Sequence, residues 1–142
     1  AAQTVMIVVC DEPAAITDAY ALIKVLSTDH RVEHFEVVSN QTRSREEGQA
    51  LFEKLQRVTD RFLNVQLDYA GCVPFDEQMR LAIQQQRALV EWRPGSQAAR
   101  AIMKLAEKAL TWPQPEAPRG HIEFFVESLS RALPSQMMRA AL

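Results

Sequence analysis

Apolar residues along the chain follow two alternating patterns. Three short runs are rich in branched apolar side chains, namely TVMIVVC at 4–10, FEVVSN at 35–40 and LDYAGCVP at 67–74. Runs of this length and composition are typical of strands. Between them, apolar residues recur every three or four positions, which indicates helices with one face to bury. The alternation of strand and helix predicts an α/β fold.

The two helices between the predicted strands each carry one apolar stripe. In the first helix the stripe consists of Ile16, Ala19, Tyr20, Ile23 and Leu26. In the second it consists of Leu51, Leu55, Val58 and Phe62. The first two strands have few polar interruptions, so helices are expected on both faces of the sheet. The predicted class is therefore α/β, with a partial doubly wound parallel sheet of about three strands and flanking helices.

The segment after the third strand changes character. It predicts a short helix over EQMRLAI and a longer one that starts near Ser96, whose hydroxyl is suited to cap the first turn. Three prolines then favour an extended connector over 111–119. We therefore expect a folded domain over 1–110, a proline-rich linker over 111–119 and an amphipathic C-terminal helix with a tail over 120–142. The apolar stripe of that last helix consists of Ile122, Phe125, Val126, Leu129 and Leu133.

Composition narrows the function classes. The chain has 142 residues, a net charge of -2 and no dense run of Lys or Arg, so no direct nucleic-acid partner is expected. Cys10 and Cys72 have no CxxC partner, and the three histidines lack metal-ligand spacing. No metal site is predicted. No apolar run is long enough to span a membrane, and the expected location is the cytoplasm.

Two features of the sequence predict that the chain is part of a larger fold. Three strands make a thin sheet for so much two-sided apolar surface, and the first strand begins at residue 4. The glycines are isolated and no GK[ST] motif occurs, so the chain has no loop of its own to hold a triphosphate. An unpaired apolar edge is therefore expected beside the first strand.

The order of four motifs resembles a known family. VMIVVCDEPAAITDAYALIKVL, VVSNQTRS, YAGCVPFDEQMRLAI and PGSQAARAIMKLA are similar to the C-terminal half of the MinD/ParA-type deviant-Walker P-loop ATPases, above all to their flagellar-number regulators. The resemblance covers about residues 4–110, and the family usually has a proline where this chain has Asp11. It implies a parent protein that binds ATP and Mg, hydrolyses ATP and dimerises with ATP. The P-loop and the hydrolytic aspartate would lie in an N-terminal half absent from this sequence, which leaves this chain with no catalytic residue and no tightly bound cofactor.

Three residues are candidates for nucleotide binding. Asn40 ends the second strand, where ligands collect in open α/β sheets, and its carboxamide can both donate to and accept from an adenine edge. The structural alternative is that Asn simply turns well at a strand end. Pro74 and Asp76 match the segment that lines the adenine in the family. Asp76 is equally explained as the N-cap of the helix that follows it, and Asp11 and Glu12 are interpreted as capping residues at a helix N-terminus.

The partners are implied by the resemblance and by the C-terminal stripe. The resemblance implies a homodimer that restrains a transcriptional activator of flagellar genes. The C-terminal helix is predicted to dock on its own domain, on a partner or on the inner membrane surface. Glu123 and Glu127 disfavour anionic lipid, so a peripheral contact at the cytoplasmic membrane face ranks below the other two.

One alternative function remains open at this point. A self-contained, non-catalytic signalling domain similar to a response-regulator receiver would also place acidic residues after its first strand. The chain lacks the Lys-Pro pair expected after the final strand of such a domain. A protein-interaction role without ATP is therefore the second hypothesis.

Overall fold

A computed structural model describes residues 4–112, which form a three-stranded parallel sheet flanked by helices. The strands are β1 (Val5–Val9), β2 (His34–Thr42) and β3 (Gln66–Pro74), in the spatial order β1–β2–β3. The helices are α1 (Pro13–His30), α2 (Arg45–Phe62), α3 (Glu77–Gln84), α4 (Leu89–Trp92) and α5 (Gln97–Ala109). Both strand pairs are parallel, so the predicted α/β class and three-stranded sheet are confirmed. The predicted C-terminal helix and its stripe lie outside the described residues.

Local sequence explains most of the helix starts. Ser96 caps α5 as predicted, because its hydroxyl accepts from the backbone N–H of Ala99 at 3.2 Å. The prediction that Asp11 and Glu12 cap the start of α1 is wrong. Glu12 stands at the N-cap position but makes no side-chain capping bond, and the Asp11 carboxylate accepts instead from Lys54 Nζ of α2 at 2.7 Å. The helix α2 brings a full positive charge to Asp11, and the carboxylate pairs with that charge rather than with a backbone amide.

One face of the sheet is covered by α1 and α2. The core on this side is formed by Ile7, Val9, Ala19, Ile23, Phe35, Val37, Leu51, Phe52, Leu55 and Leu67. The stripe predicted for α2 is wrong at two positions, since Val58 and Phe62 are 38% and 63% exposed. The buried face of α2 includes Phe52 and Thr59 instead. Phe62 ends the helix, where its ring packs edge-on against Tyr20 with the centroids 6.4 Å apart.

The opposite face is covered by α5 together with α3 and α4. Its core consists of Val38, Ala70, Val73, Ala82, Leu89, Ala98 and Ala99. Trp92 and Trp112 pack against this core. The expectation that helices cover both faces is wrong for β1, where Met6 and Val8 are 41% and 57% exposed. The reason is that α5 packs on β3, at the far side of the sheet from β1.

The two edge strands of the described sheet, β1 and β3, differ in how well they are protected against pairing with a further strand. On β3, an extra residue, Ala70, breaks the register with β2, and Lys108 Nζ donates to the carbonyls of Tyr69 and Ala70 at 2.8 and 3.2 Å. Pro74 removes one further N–H from this strand. Bulges, lysines and prolines are the devices by which natural sheets block edge pairing. Among residues 4–112, β1 has none of them.

We expect the exposed β1 edge to drive self-association of the chain. Replacing Val8 with Lys should shift the chain toward monomer, because a charged side chain beside an unpaired edge opposes pairing with another strand. Leu22→Lys is the matched control, since Leu22 is 49% exposed but lies on α1. Light scattering over a concentration series measures the average mass. Equal association of both variants and wild type would show that β1 is not the contact.

Candidate functional site

The carboxyl ends of β2 and β3 bring the predicted site residues to one edge of the sheet. Asn40 is the register partner of Val73, and Thr42 is the partner of Pro74. The backbone N–H of Phe75 donates to the Thr42 carbonyl at 2.9 Å and extends the pairing by one step. Asn40 and Pro74 therefore flank the same end of two adjacent strands. This is the edge at which ligands bind in open α/β sheets.

Asn40 has a neighbour that the sequence did not predict as part of the site. Cys10 follows β1, and its thiol lies near the Asn40 side chain. Burial raises the pKa of the Cys10 thiol, and the Glu12 carboxylate adds to the rise, while the Asn40 side chain acts in the opposite direction. The signal in the sequence was its position, since Cys10 ends the first apolar run just as Asn40 ends the second.

The backbone beside Asn40 is strained. Gln41 has φ of 58°, a left-handed conformation that is costly for a residue other than glycine. It is the extra residue where the β2–β3 register shifts between Asn40 and Thr42. Such conformations are concentrated at functional sites, where they aim neighbouring side chains. Thr42, on the far side of the bulge, is 3% exposed, and its hydroxyl has no hydrogen-bond partner among the described residues.

Asp76 caps two helices at once. One carboxylate oxygen accepts from the backbone N–H of Gln78 in α3 at 2.9 Å, and the other accepts from Ala98 in α5 at 3.0 Å. The amide of Ala98, followed by that of Gln78, holds the pKa of this carboxyl below its usual value. The capping alternative stated for Asp76 is therefore what the structure shows. A contact between Asp76 and a nucleotide stays a prediction.

A large cleft begins at the same edge and runs between α2 and α5. Its volume is about 1030 Å³, and Thr42 and Pro74 lie at one end of it. Of the three predicted nucleotide contacts, only Pro74 lines this cleft. Its walls carry two acidic side chains, Glu46 and Glu53, against a larger set of cations: Arg43, Arg45, Arg100, Lys104 and Lys108. The last three recur every four residues along α5, a signal that predicts a basic helix face.

Over residues 4–112, each helix is too short or too polar to cross a bilayer.

Comparison with known proteins relates the chain to flagellar regulators. No family model matches the chain. It is 55% identical over 129 residues to the antiactivator FleN of Pseudomonas aeruginosa, an alignment that covers 91% of the chain and 46% of FleN. It is 28% identical over 137 residues to the flagellum site-determining protein YlxH of Helicobacter pylori, covering 94% of the chain and 46% of YlxH. The chain spans about half the length of the curated relatives it matches, and the resemblance to flagellar-number regulators is confirmed.

Proposed function

We propose that this FleN-like chain is the C-terminal half of a regulatory ATPase. The whole protein would bind ATP, dimerise and restrain an activator of flagellar genes. The observation that carries the proposal is the 55% identity to a protein named as an antiactivator, sustained over 91% of this chain. This similarity favours the proposal over the receiver-like alternative.

In this proposal the adenine lies at the carboxyl edge of β2 and β3. The Asn40 carboxamide offers one donor and one acceptor to the base edge, which complements the N1 acceptor and the N6 donor of adenine. Pro74, the last residue of β3, would limit the pocket by its shape and supply a carbonyl acceptor. Phe75 follows it and is 64% exposed, so its ring is accessible to the face of a base. These residues supply recognition of the base and no chemistry.

The phosphates and Mg require groups that this chain does not supply. A triphosphate needs backbone N–H groups in a glycine-rich loop and a lysine, and the sequence has no GK[ST] motif. The residues present therefore fit the base of ATP and not its phosphates. Hydrolysis is proposed only for the intact parent, in which the exposed β1 edge would receive the strands that carry the phosphate loop.

The proposed partners follow from the word antiactivator. A protein of that name opposes an activator, and the parent of this chain would do so as an ATP-bound homodimer in the cytoplasm. The stripe from Ile122 to Leu133 is proposed to dock on the activator or on its own domain. Contact with the membrane surface is the third option, because Glu123 and Glu127 would be repelled by anionic lipid.

The experiment that tests this function compares the intact parent with the isolated chain. Sedimentation velocity should show the parent shifting from monomer to dimer with ATP and not with ADP. Calorimetry on the isolated chain should show no micromolar ATP binding, because the groups that hold the phosphates are missing. A parent that stays monomeric in saturating ATP would contradict the dimer switch. Micromolar binding by the isolated chain would contradict the division of the site between two halves.

A further inference from the structure

Three side chains that can coordinate a metal ion lie close together on one face of the sheet, across the neighbouring strands β2 and β3. His34 and Glu36 lie two residues apart on β2, and Asp68 on β3 is the register partner of Glu36. One ligand atom from each lies within 4.8 Å of the others. His34 Nε2 is 2.8 Å from an Asp68 carboxylate oxygen and 4.0 Å from a Glu36 carboxylate oxygen. The sequence predicted no metal site, because His34 and Asp68 meet only through strand pairing.

Glu36 is the member of this cluster that an ordinary surface ion pair does not explain. It is 5% exposed, and its Oε2 atom has no hydrogen-bond partner among residues 4–112. A buried carboxylate without partners is costly, so natural proteins pair such groups or use them to coordinate metals. The nearby Lys108 ammonium does not supply the partner, since it is bonded to the carbonyls of Tyr69 and Ala70.

We propose that His34, Glu36 and Asp68 form a binding site for a first-row divalent cation, with Zn²⁺ as the best fit. One imidazole nitrogen and two carboxylate oxygens form a ligand set that Zn²⁺ accepts, at metal–ligand distances of about 2.0–2.2 Å. Ligand atoms in a tetrahedral site are then roughly 3.4 Å apart. Two of the three observed separations, 2.8 and 4.0 Å, bracket that value, and the third lies within 4.8 Å, so side-chain rotations would bring the three ligand atoms to it.

The surroundings of the cluster suit a metal that keeps a water ligand. The side chains of His34 and Asp68 are 40% and 47% exposed, which leaves one side of the site open to solvent. Gln66 Nε2 donates to both oxygens of Asp68 at 3.2 and 3.1 Å and holds the carboxylate in place. Outer partners of this kind orient metal ligands in known sites. The site is independent of the nucleotide edge, because it lies near the amino ends of β2 and β3.

The test is a Zn²⁺ titration of the full chain after removal of metals with EDTA. We expect one Zn²⁺ per chain and a rise in melting temperature, because a ligand that binds only the folded state stabilises it. His34→Ala and Glu36→Gln should each weaken Zn²⁺ binding at least tenfold. Glu36→Gln should also raise the melting temperature of the metal-free chain, since it removes a buried charge. If Glu36 served only the fold, Glu36→Gln would not both weaken Zn²⁺ binding and raise the melting temperature of the metal-free chain.

His30→Ala is the matched control, because His30 is exposed at the end of α1 and outside the cluster. It should bind Zn²⁺ as wild type does. Circular dichroism of each variant separates loss of the site from loss of the fold. We expect His34→Ala to stay folded, because it removes a side chain that is 40% exposed. Absence of Zn²⁺ binding by wild type would overturn the proposal. Equal Zn²⁺ affinity of wild type and a folded His34→Ala variant would overturn it as well.

Discussion

Replacing Asp76 with alanine is expected to lower the free energy of unfolding by about 1–4 kcal/mol, the sum of two lost caps at roughly 0.5–2 kcal/mol each. The Asp76 carboxylate accepts from the first turn of α3 through Gln78 and from the start of α5 through Ala98. Both helices pack on the same core, so the loss affects α3 and α5 together. Denaturant titration followed by circular dichroism measures the change.

The neighbouring acid provides the control for this substitution. Glu77 is exposed and pairs with Arg80 on the surface of α3, so Glu77→Ala should change the free energy of unfolding by less than about 0.5 kcal/mol. If Asp76→Ala were as stable as Glu77→Ala, the double cap would not stabilise the fold. If Asp76→Ala then also weakened ATP binding by the parent, its role would lie with the nucleotide.

The contribution of Asp76 should depend on pH in a defined direction. Hydrogen bonds from Ala98 and then Gln78 hold the folded-state pKa of this carboxyl below its ordinary value. The stabilisation is therefore fully present above the unfolded pKa, near 4, and is lost as the pH falls through the folded pKa. The stability difference between wild type and Asp76→Ala should shrink in acid. A difference that stays constant from pH 7 to pH 3 would contradict the assigned cause.

The fold could be predicted where the sequence pattern within one element was enough to determine its structure. The three apolar runs became the three strands, and Asn40 and Pro74 were placed at strand ends because those runs end there. Parallel pairing then put both residues at one edge without further information. The cap by Ser96 was also local, since an N-cap contacts only the next turn of its own helix.

Features that depend on packing between distant segments could not be predicted. Gly48 looked like an isolated glycine, yet a Cβ atom there would lie 2.7 Å from the Tyr69 hydroxyl and 2.9 Å from the Cys72 Cβ. Glycine therefore allows α2 to approach β3 closely. The cluster of His34 with Asp68 and the ion pair of Asp11 with Lys54 likewise join residues far apart in sequence.

Replacing Asn40 with alanine is the second change with a large expected effect. In the intact parent it should weaken ATP binding by about 1–3 kcal/mol, because a buried base edge would lose its hydrogen-bond partner. The fold should be affected less, since Asn40 is only half-buried. Asn64→Ala is the matched control, because Asn64 is exposed and precedes β3 at the opposite edge of the sheet.

The most direct test of the nucleotide site is a calorimetric titration of the intact parent with ATP and with GTP, for wild type, Asn40→Ala and Asn64→Ala. The proposed site requires Asn40→Ala to bind ATP roughly 5- to 150-fold more weakly than wild type. Asn64→Ala should match wild type with both nucleotides. If Asn40→Ala bound ATP and GTP as the wild type does, the carboxyl edge of β2 and β3 would not be the adenine site.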